Sequence, residues 1–162
     1  MELNMTTLRG ILATILSVDS KYVVPKQGNW WNPQDKQSNI ANWCAYRIKS
    51  NRPVTSPFYD EEDEQNKAVI LKQAEIELQF VGPKSEDLAN SVAFWSLRSD
   101  VQEQFKSVQG AILYDDCAAI SSFFVQDGNN TVMAWNTTFS VNWYSQQPTG
   151  QGKMPFINFE GK

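Results

Sequence analysis

The sequence predicts an α+β domain: a mainly antiparallel β-sheet with one long hairpin, and two principal helices packed on one face of it. Three observations support this class. The segment 74–80, Ala-Glu-Ile-Glu-Leu-Gln-Phe, alternates apolar and polar side chains, which is typical of a half-buried strand. Residues 8–16 repeat apolar side chains at helical spacing, and a second helical pattern begins at Ser85, just after Gly82-Pro83. The centre of the chain is therefore predicted to run strand, tight turn, helix.

The first helix is predicted near the N-terminus, with Thr6 or Thr7 as its cap. Its core-facing side chains recur at i, i+3, i+4, i+7 and i+8; they are Leu8, Ile11, Leu12, Ile15 and Leu16. A short extended segment at 22–24 comes next, and Pro25 ends it. We expect this helix to cover part of the sheet.

A long polar loop is predicted over 26–42, and it carries the adjacent pair Trp30 and Trp31. Long loops in compact domains tend to be functional or mobile. Neighbouring side chains on an extended chain point in opposite directions, so at least one of the two indoles is expected to leave the local core. Packing in the core and an intersubunit contact stay open as alternatives, since Trp is enriched at interfaces.

The long hairpin is predicted to join a strand at 43–49 to the strand at 74–80. The first strand places Cys44, Tyr46 and Ile48 on one face, and prolines at 53 and 57 interrupt the pattern beyond it. Five consecutive acids then form the predicted tip: Asp60, Glu61, Glu62, Asp63 and Glu64. The polar face of the second strand is expected to meet solvent, a neighbouring subunit or a channel; it consists of Gln73, Glu75, Glu77 and Gln79.

The second helical segment, 85–108, has Ser85 as its predicted cap and two acids in its first turn. Its apolar positions fall on two predicted faces: Leu88, Val92 and Trp95 on one, and Phe94, Leu97, Val101, Phe105 and Val108 on the other. The helix is therefore either buried broadly or bent near 96–100. Gly110 is the expected stop. Strands are then predicted at 111–114 and 120–125, a turn at 127–130, and a long alternating strand at 133–144.

The domain organisation is predicted to be one α+β domain over 1–145 and a flexible C-terminal tail over 146–162. The tail is polar as far as Lys153 and then contains the apolar segment Met154-Pro155-Phe156-Ile157-Asn158-Phe159. Such a segment has little reason to stay solvated in a solitary protein. We expect either simple disorder or docking on a neighbouring subunit as an added edge strand.

Composition bounds the class of protein. A chain of 162 residues with 41% hydrophobic side chains can bury one real core. The formal charge of -4 disfavours binding to a phosphate backbone, so nucleic acid is not an expected ligand. No apolar stretch is long enough to span a bilayer, and the first residues do not form an export signal. Cys44 and Cys117 are expected to be reduced thiols of a protein made in a cytoplasm.

Catalysis is not expected. The chain has no histidine, which removes the usual general base and the commonest metal ligand. It also lacks the nucleophile, phosphate-loop and CxxC motifs, so neither a cofactor nor a metal site is predicted. The acidic run at 60–64 could hold a divalent cation, but it offers neither the ligand spacing nor the glycine turn of a calcium loop. A solvated tip or a charged docking edge is favoured.

The predicted contact residues are therefore aromatic, acidic or apolar side chains outside the core. They are Trp30, Trp31, Asp60, Glu61, Glu62, Asp63, Glu64, Glu75, Glu77, Phe156, Ile157 and Phe159.

The order of elements over 6–145 resembles the phage tail terminator or neck terminator family. The likeness rests on the N-terminal helix, the Trp-containing loop, Tyr46-Arg47-Ile48, the strand ending at Gly82, Leu88-Ala89 with Phe94-Trp95, and Ile112-Leu113-Tyr114-Asp115. It implies a structural virion protein that is assembled in the host bacterial cytoplasm. Such a protein forms a ring, hexameric in the family, which ends the tail tube and joins it to the neck.

The same resemblance implies the partners. They are further copies of the chain, tail-tube and sheath proteins, and neck or connector proteins, with DNA passing through the ring without specific binding. Two alternatives stay open. One is another tail component, such as a tube, sheath-adaptor or baseplate protein, and the other is a carboxylate-based cation-binding domain.

Overall fold

The computed structural model describes residues 2–26, 42–59, 67–113, 121–127 and 130–148. These residues form three α-helices: α1 (Met5–Leu16), α2 (Ser85–Ser91) and α3 (Ser99–Phe105). Three 3-10 helices cover Ser20–Tyr22, Val92–Leu97 and Lys106–Val108. The strands are β1 (Val23–Pro25), β2 (Trp43–Pro53), β3 (Phe58–Tyr59), β4 (Lys67–Val81), β5 (Gly110–Ile112), β6 (Ser121–Asp127) and β7 (Asn130–Pro148).

The seven strands form one sheet with β4 and β7 at its centre. These two strands pair antiparallel without a break from Lys67 opposite Pro148 to Val81 opposite Ala134. On one side of this pair lie β2 and β3, with β1 parallel to β2 outside them. On the other side, β5 and β6 pair with successive parts of β7. The sheet is mixed but mostly antiparallel, so the predicted α+β class is confirmed.

One face of the sheet carries the helices and the main core. All four apolar residues of the predicted alternation in 74–80 are completely buried: Ala74, Ile76, Leu78 and Phe80. From β7, Phe139 packs edge-on against Trp95 and Phe105, with ring centroids 5.4 and 6.0 Å apart. The predicted alternation of residues 74–80 is thus confirmed, since every second side chain of this segment faces the helices.

The long hairpin predicted from the sequence is confirmed by the antiparallel pairing of β2 with β4. Both strands are longer than the predicted segments. Pairing with β7 carries β4 back to Lys67, and pairing with β4 carries β2 on to Pro53. β7 itself runs to Pro148, three residues past the expected domain boundary at 145. The paired strands therefore continue beyond the segment that the alternating pattern marks.

Two predicted helix caps are wrong. The N-cap of α1 is Asn4, whose Oδ1 accepts a hydrogen bond from Thr7 N at 2.9 Å, so Thr6 and Thr7 lie inside the helix. At α2 the N-cap position is Lys84 and makes no side-chain cap, while Ser85 is the buried first residue of the helix. The N-caps lie one to three residues earlier than predicted, which is a common error of pattern reading.

The segment 85–108 is not one helix: of the two alternatives left by the sequence, a broadly buried helix or a bend near 96–100, the structure has the bend. A 3-10 helix separates α2 from α3, and the extended backbone of Arg98 marks the break. A 3-10 helix has three residues per turn, so Val92 and Trp95 line up on the core side and Phe94 and Leu97 on the other. The first two are completely buried, and the last two are 63% and 68% exposed. The prediction that Phe94 and Leu97 share a face with Val101 and Phe105 is therefore wrong.

The opposite face of the sheet is less exposed than the sequence predicts. Gln79 is completely buried, contrary to the expectation of a solvent-facing side chain, whereas Glu75 remains accessible. A small apolar cluster of Trp43, Val81 and Ala134 lies at one end of this face. Cys44 is a buried free thiol whose pKa is raised by burial, which agrees with the predicted reduced state. Cys117 and the turn residues 128 and 129 lie outside the described residues.

Candidate assembly surfaces

An ion cluster lies on the face of the sheet opposite the helices. The Glu77 carboxylate accepts a hydrogen bond from Lys26 Nζ through Oε1, and Oε2 accepts from Arg47 at 3.0 and 2.5 Å. The register explains the meeting, because Arg47 pairs directly with Glu77 across β2 and β4. Lys26 reaches them from the end of β1, where its backbone N–H donates to Tyr46 O. Sequence reasoning placed Lys26 in the polar loop and gave no signal for this contact.

Burial decides how strong this cluster is. The Lys26 side chain is fully buried and that of Glu77 is only 14% exposed. Burial acts to raise the pKa of Glu77, but the hydrogen bonds and charges of Lys26 and Arg47 outweigh it and hold the pKa below its usual value. The predicted contact residue Glu77 therefore has both carboxylate oxygens engaged within its own subunit. Its part in a subunit interface stays a prediction.

Glu75, one row further along β4, is placed differently. Its only ion-pair partner among the described residues is Lys49, at 3.5 Å, and the side chains of Glu75 and Lys49 are 39% and 53% exposed. Exposed pairs of this kind contribute little to stability and can exchange partners easily. Of the two predicted acidic contact residues that the structure describes, Glu75 is thus better placed than Glu77 to meet another protein.

The other predicted contact residues lie outside the described residues. They are Trp30, Trp31, Asp60, Glu61, Glu62, Asp63, Glu64, Phe156, Ile157 and Phe159. Their roles stay predictions. Within the described ranges, which do not include the acidic run, there is no group of three potential metal-ligating side chains.

Two apolar patches are visible that the sequence did not identify. One consists of Phe94 and Leu97, side by side on the 3-10 helix. The other lies on the strands, where Val54, Phe58 and Tyr144 are each 41–49% exposed. Phe58 is opposite Val69 and Tyr144 is opposite Leu71, so these residues share the face that carries Glu75. Exposed apolar groups that cluster are typical of protein contact sites.

A cleft of about 250 Å³ lies where β4 begins and β7 ends. It is lined by Pro57, Ala68, Val69, Ile70, Lys72, Ser145 and Gln147. Ser145 also donates a hydrogen bond to Glu2, which ties the N-terminus to β7 at this end. Among these described lining residues, Lys72 is the only charged one.

The described part of the chain is thus an α+β domain whose surface carries ion pairs and small apolar patches and has no cluster of metal-ligating side chains. No helix of the described part is long and apolar enough to cross a membrane.

The family model for phage neck terminator proteins matches residues 5–161, so the chain belongs to that family. The resemblance found in the sequence is thereby confirmed. The protein has a structural role in the phage tail and neck, is located in that part of the virion, and interacts with other tail or neck components. No curated protein matches the chain.

Proposed function

We propose that the protein forms a closed homomeric ring, a hexamer, that terminates the phage tail tube and joins it to the neck or connector. The observation that carries the proposal is the family match over nearly the whole chain. In this role the protein acts as a structural part and not as an enzyme. Its partners are its own copies, the tail tube with sheath proteins, and the neck proteins.

The surface features are consistent with a ring. A ring requires a heterologous interface, in which two different patches of the subunit meet. The chain carries distinct patches at different places: Glu75 with Lys49 on the sheet face, and Phe94 with Leu97 on the helical side. The Trp pair at 30–31 and the acidic run at 60–64 are proposed as further contacts. Such separate patches could meet on neighbouring subunits without pairing with themselves.

DNA is proposed to pass through the ring without binding. The chain has 18 acidic against 14 basic residues, and five of the acids are consecutive at 60–64. An excess of negative charge repels phosphates and lets DNA slide. A binding assay with duplex DNA at low and moderate salt checks this; tight, salt-sensitive association would contradict it.

The ring itself is tested by mass. Native mass spectrometry of the full chain is expected to show six copies of the 18.4 kDa subunit, about 110 kDa in total. Electron microscopy of the same sample should show particles with six-fold symmetry. A single-copy mass at all concentrations up to those of virion assembly would overturn the ring, and open stacks of indefinite length would indicate a tube protein instead.

A further inference from the structure

Several strands of the described sheet have an edge with no neighbouring strand. At most of these edges, a specific chemical feature prevents a further strand from pairing. An open edge exposes unpaired N–H and C=O groups that can accept a further strand. Which edge stays open therefore decides where a strand from another chain can add.

The edge at β1 is closed by its neighbours. Val23 N–H donates to Ser20 O, and Val23 O accepts from Arg9 Nε at 2.9 Å. Pro25 has no N–H, and the next residue, Lys26, donates its N–H inward to Tyr46 O. An incoming strand would find no donor at Val23 or Pro25.

The outer half of β2, beyond the end of β1, is protected in another way. A register shift lies between Ile48 and Ser50, and the strand ends at Pro53. Basic side chains at 47, 49 and 52 accompany the bulge. Bulges, prolines and charged side chains are the features by which natural edges avoid pairing.

The edge at β5 is closed by one side chain. Ile112 N–H donates to Gln102 Oε1 at 3.0 Å, and Gln102 Nε2 donates back to Ile112 O at 3.3 Å. The amide of Gln102 thus occupies the place of a neighbouring strand. Along the end of β7, Gln146 N–H donates to Glu2 Oε1 at 3.0 Å, and Pro148 has no N–H.

Among the described residues, β6 has no bulge, proline or capping side chain like those that block the other edges. Its seven residues, Ser121–Asp127, pair with β7 without a register shift, and β7 is its only partner among the described strands. The sequence Ser-Ser-Phe-Phe-Val-Gln-Asp contains no proline, lysine or arginine. A regular edge of seven residues, with Asp127 at its end as its only charged side chain, is a ready site for strand addition.

The register tells which backbone groups of β6 face outward. Leu113 N donates to Ser140 O, so the even-numbered residues of β7 point toward the side of β5 and β6. Opposite them in β6 are the odd-numbered residues, such as Phe123 opposite Ala134 and Val125 opposite Val132. Alternate residues of a strand bond to opposite sides. The outward groups are therefore those of Ser122, Phe124 and Gln126.

We propose that β6 accepts the C-terminal apolar segment 154–159 of the neighbouring subunit as an added strand. This inference rests on the proposed ring. Pairing of β6 with another β6 would be isologous and give a two-fold dimer, whereas a tail on β6 is heterologous and can close a ring.

Chain length excludes the subunit's own tail as the occupant. β7 ends at Pro148, whereas the middle of β6, Phe124, lies opposite Met133, fifteen residues back along β7. At strand rise this separation is about 50 Å. Phe156 lies eight residues after Pro148 and can reach about 29 Å even when fully extended. The segment that docks on β6 must come from a second copy.

The test uses a labelled peptide of residues 152–162 and, as receptor, the full-length chain carrying F156D and F159D so that its own tail is disabled. Fluorescence anisotropy is expected to show saturable binding. Phe124→Pro removes one outward N–H and should weaken binding about tenfold. Phe124→Ala loses the same side chain but keeps that N–H, and is the matched control; equal weakening by both variants would overturn the strand-addition geometry.

A second measurement does not depend on the folding of the proline variant. A photo-crosslinking group at position 156 of the peptide should attach to residues 121–127 of the receptor. Attachment only elsewhere, or no binding, overturns the docking site. If native mass shows a six-copy ring while the peptide does not attach to β6, the ring stands and the docking fails. If the wild-type chain stays a single copy while the peptide attaches to β6, the docking stands and the ring fails.

Discussion

The two faces of the sheet differ in how they are held together. On the helical face, Trp95, Phe105 and Phe139 pack edge to face and are completely buried. On the other face, the largest described interaction is the ion cluster of Lys26, Arg47 and Glu77. The first face is stabilised by apolar burial, which is non-directional and large, whereas the second depends on charges that must be matched. The difference teaches that apolar burial holds the helices to one face of the sheet, whereas the other face depends on charge pairing between its strands.

The largest expected effect is at the helical face. Phe139→Ala removes a buried ring that contacts two aromatic neighbours and should lower the free energy of unfolding by about 3–5 kcal/mol. Denaturant unfolding at fixed protein concentration measures this, because association also contributes to stability. The matched control is Phe94→Ala, whose ring is 63% exposed. Measured at a protein concentration at which the chain is a single copy, so that the proposed subunit contact of Phe94 does not contribute, its loss should cost less than about 0.5 kcal/mol. Equal costs at the two positions would contradict the contrast between the faces.

The ion cluster should give an intermediate effect. Glu77→Gln leaves the fully buried Lys26 ammonium without its carboxylate, at an expected cost of about 2–3 kcal/mol. The value lies below that for a wholly buried pair because Arg47 is 32% exposed and can turn to solvent. A cost near zero in the same unfolding experiment would mean that the cluster is not what stabilises this face.

The same cluster predicts a pH dependence. The folded-state pKa of Glu77 lies below its unfolded value, so its contribution to stability is fully present above the unfolded pKa of about 4.3. It is lost as the pH falls from there through the folded pKa. The wild-type chain should therefore lose more stability than Glu77→Gln on acidification below about pH 4. Parallel stability curves for the two chains would contradict this assignment.

The smallest effect is expected at Glu75, which is next to Glu77 on the same face of β4. Glu75→Gln breaks only the exposed pair with Lys49 and should change stability by less than about 1 kcal/mol. Because Glu75 is proposed as an intersubunit contact, the same variant should weaken ring assembly measured by native mass at low concentration. An unchanged assembly profile would remove Glu75 from the proposed interface.

Much of the fold could be predicted from residue patterns. The alternation in 74–80 predicted a buried row that the structure confirms. The two apolar sets in 85–108 left a broadly buried helix and a bent one as alternatives, and the structure has the bend. The exposure of Phe94 and Leu97 could not be predicted, because it depends on a switch from 3.6 to three residues per turn. Nothing local in the sequence marks that switch, and in the fold it accompanies the contact of Trp95 with Phe139, a residue far along the chain.

The contacts that close the sheet edges were also out of reach of sequence reasoning. Gln102 and Ile112 are ten residues apart and belong to different elements, and Arg9 reaches β1 from α1. Of the predicted contact residues, only Glu75 and Glu77 lie in the described part. Because Glu75 and Glu77 are adjacent on one face of the same strand, the sequence predicted the same contact role for both. In the described structure they differ, because Lys26 bonds to Glu77 and not to Glu75.

By itself, the sequence determined the class of fold, the identity of most buried residues and the resemblance to phage neck terminators. These depend on periodicity, which is a local property that survives in any register. The tertiary structure alone decided which acid is neutralised, which aromatic side chains are exposed and which strand edges are closed. Each of those depends on residues that are distant in the chain and meet only when strands have chosen their partners, as Glu77 meets Lys26 and Ile112 meets Gln102.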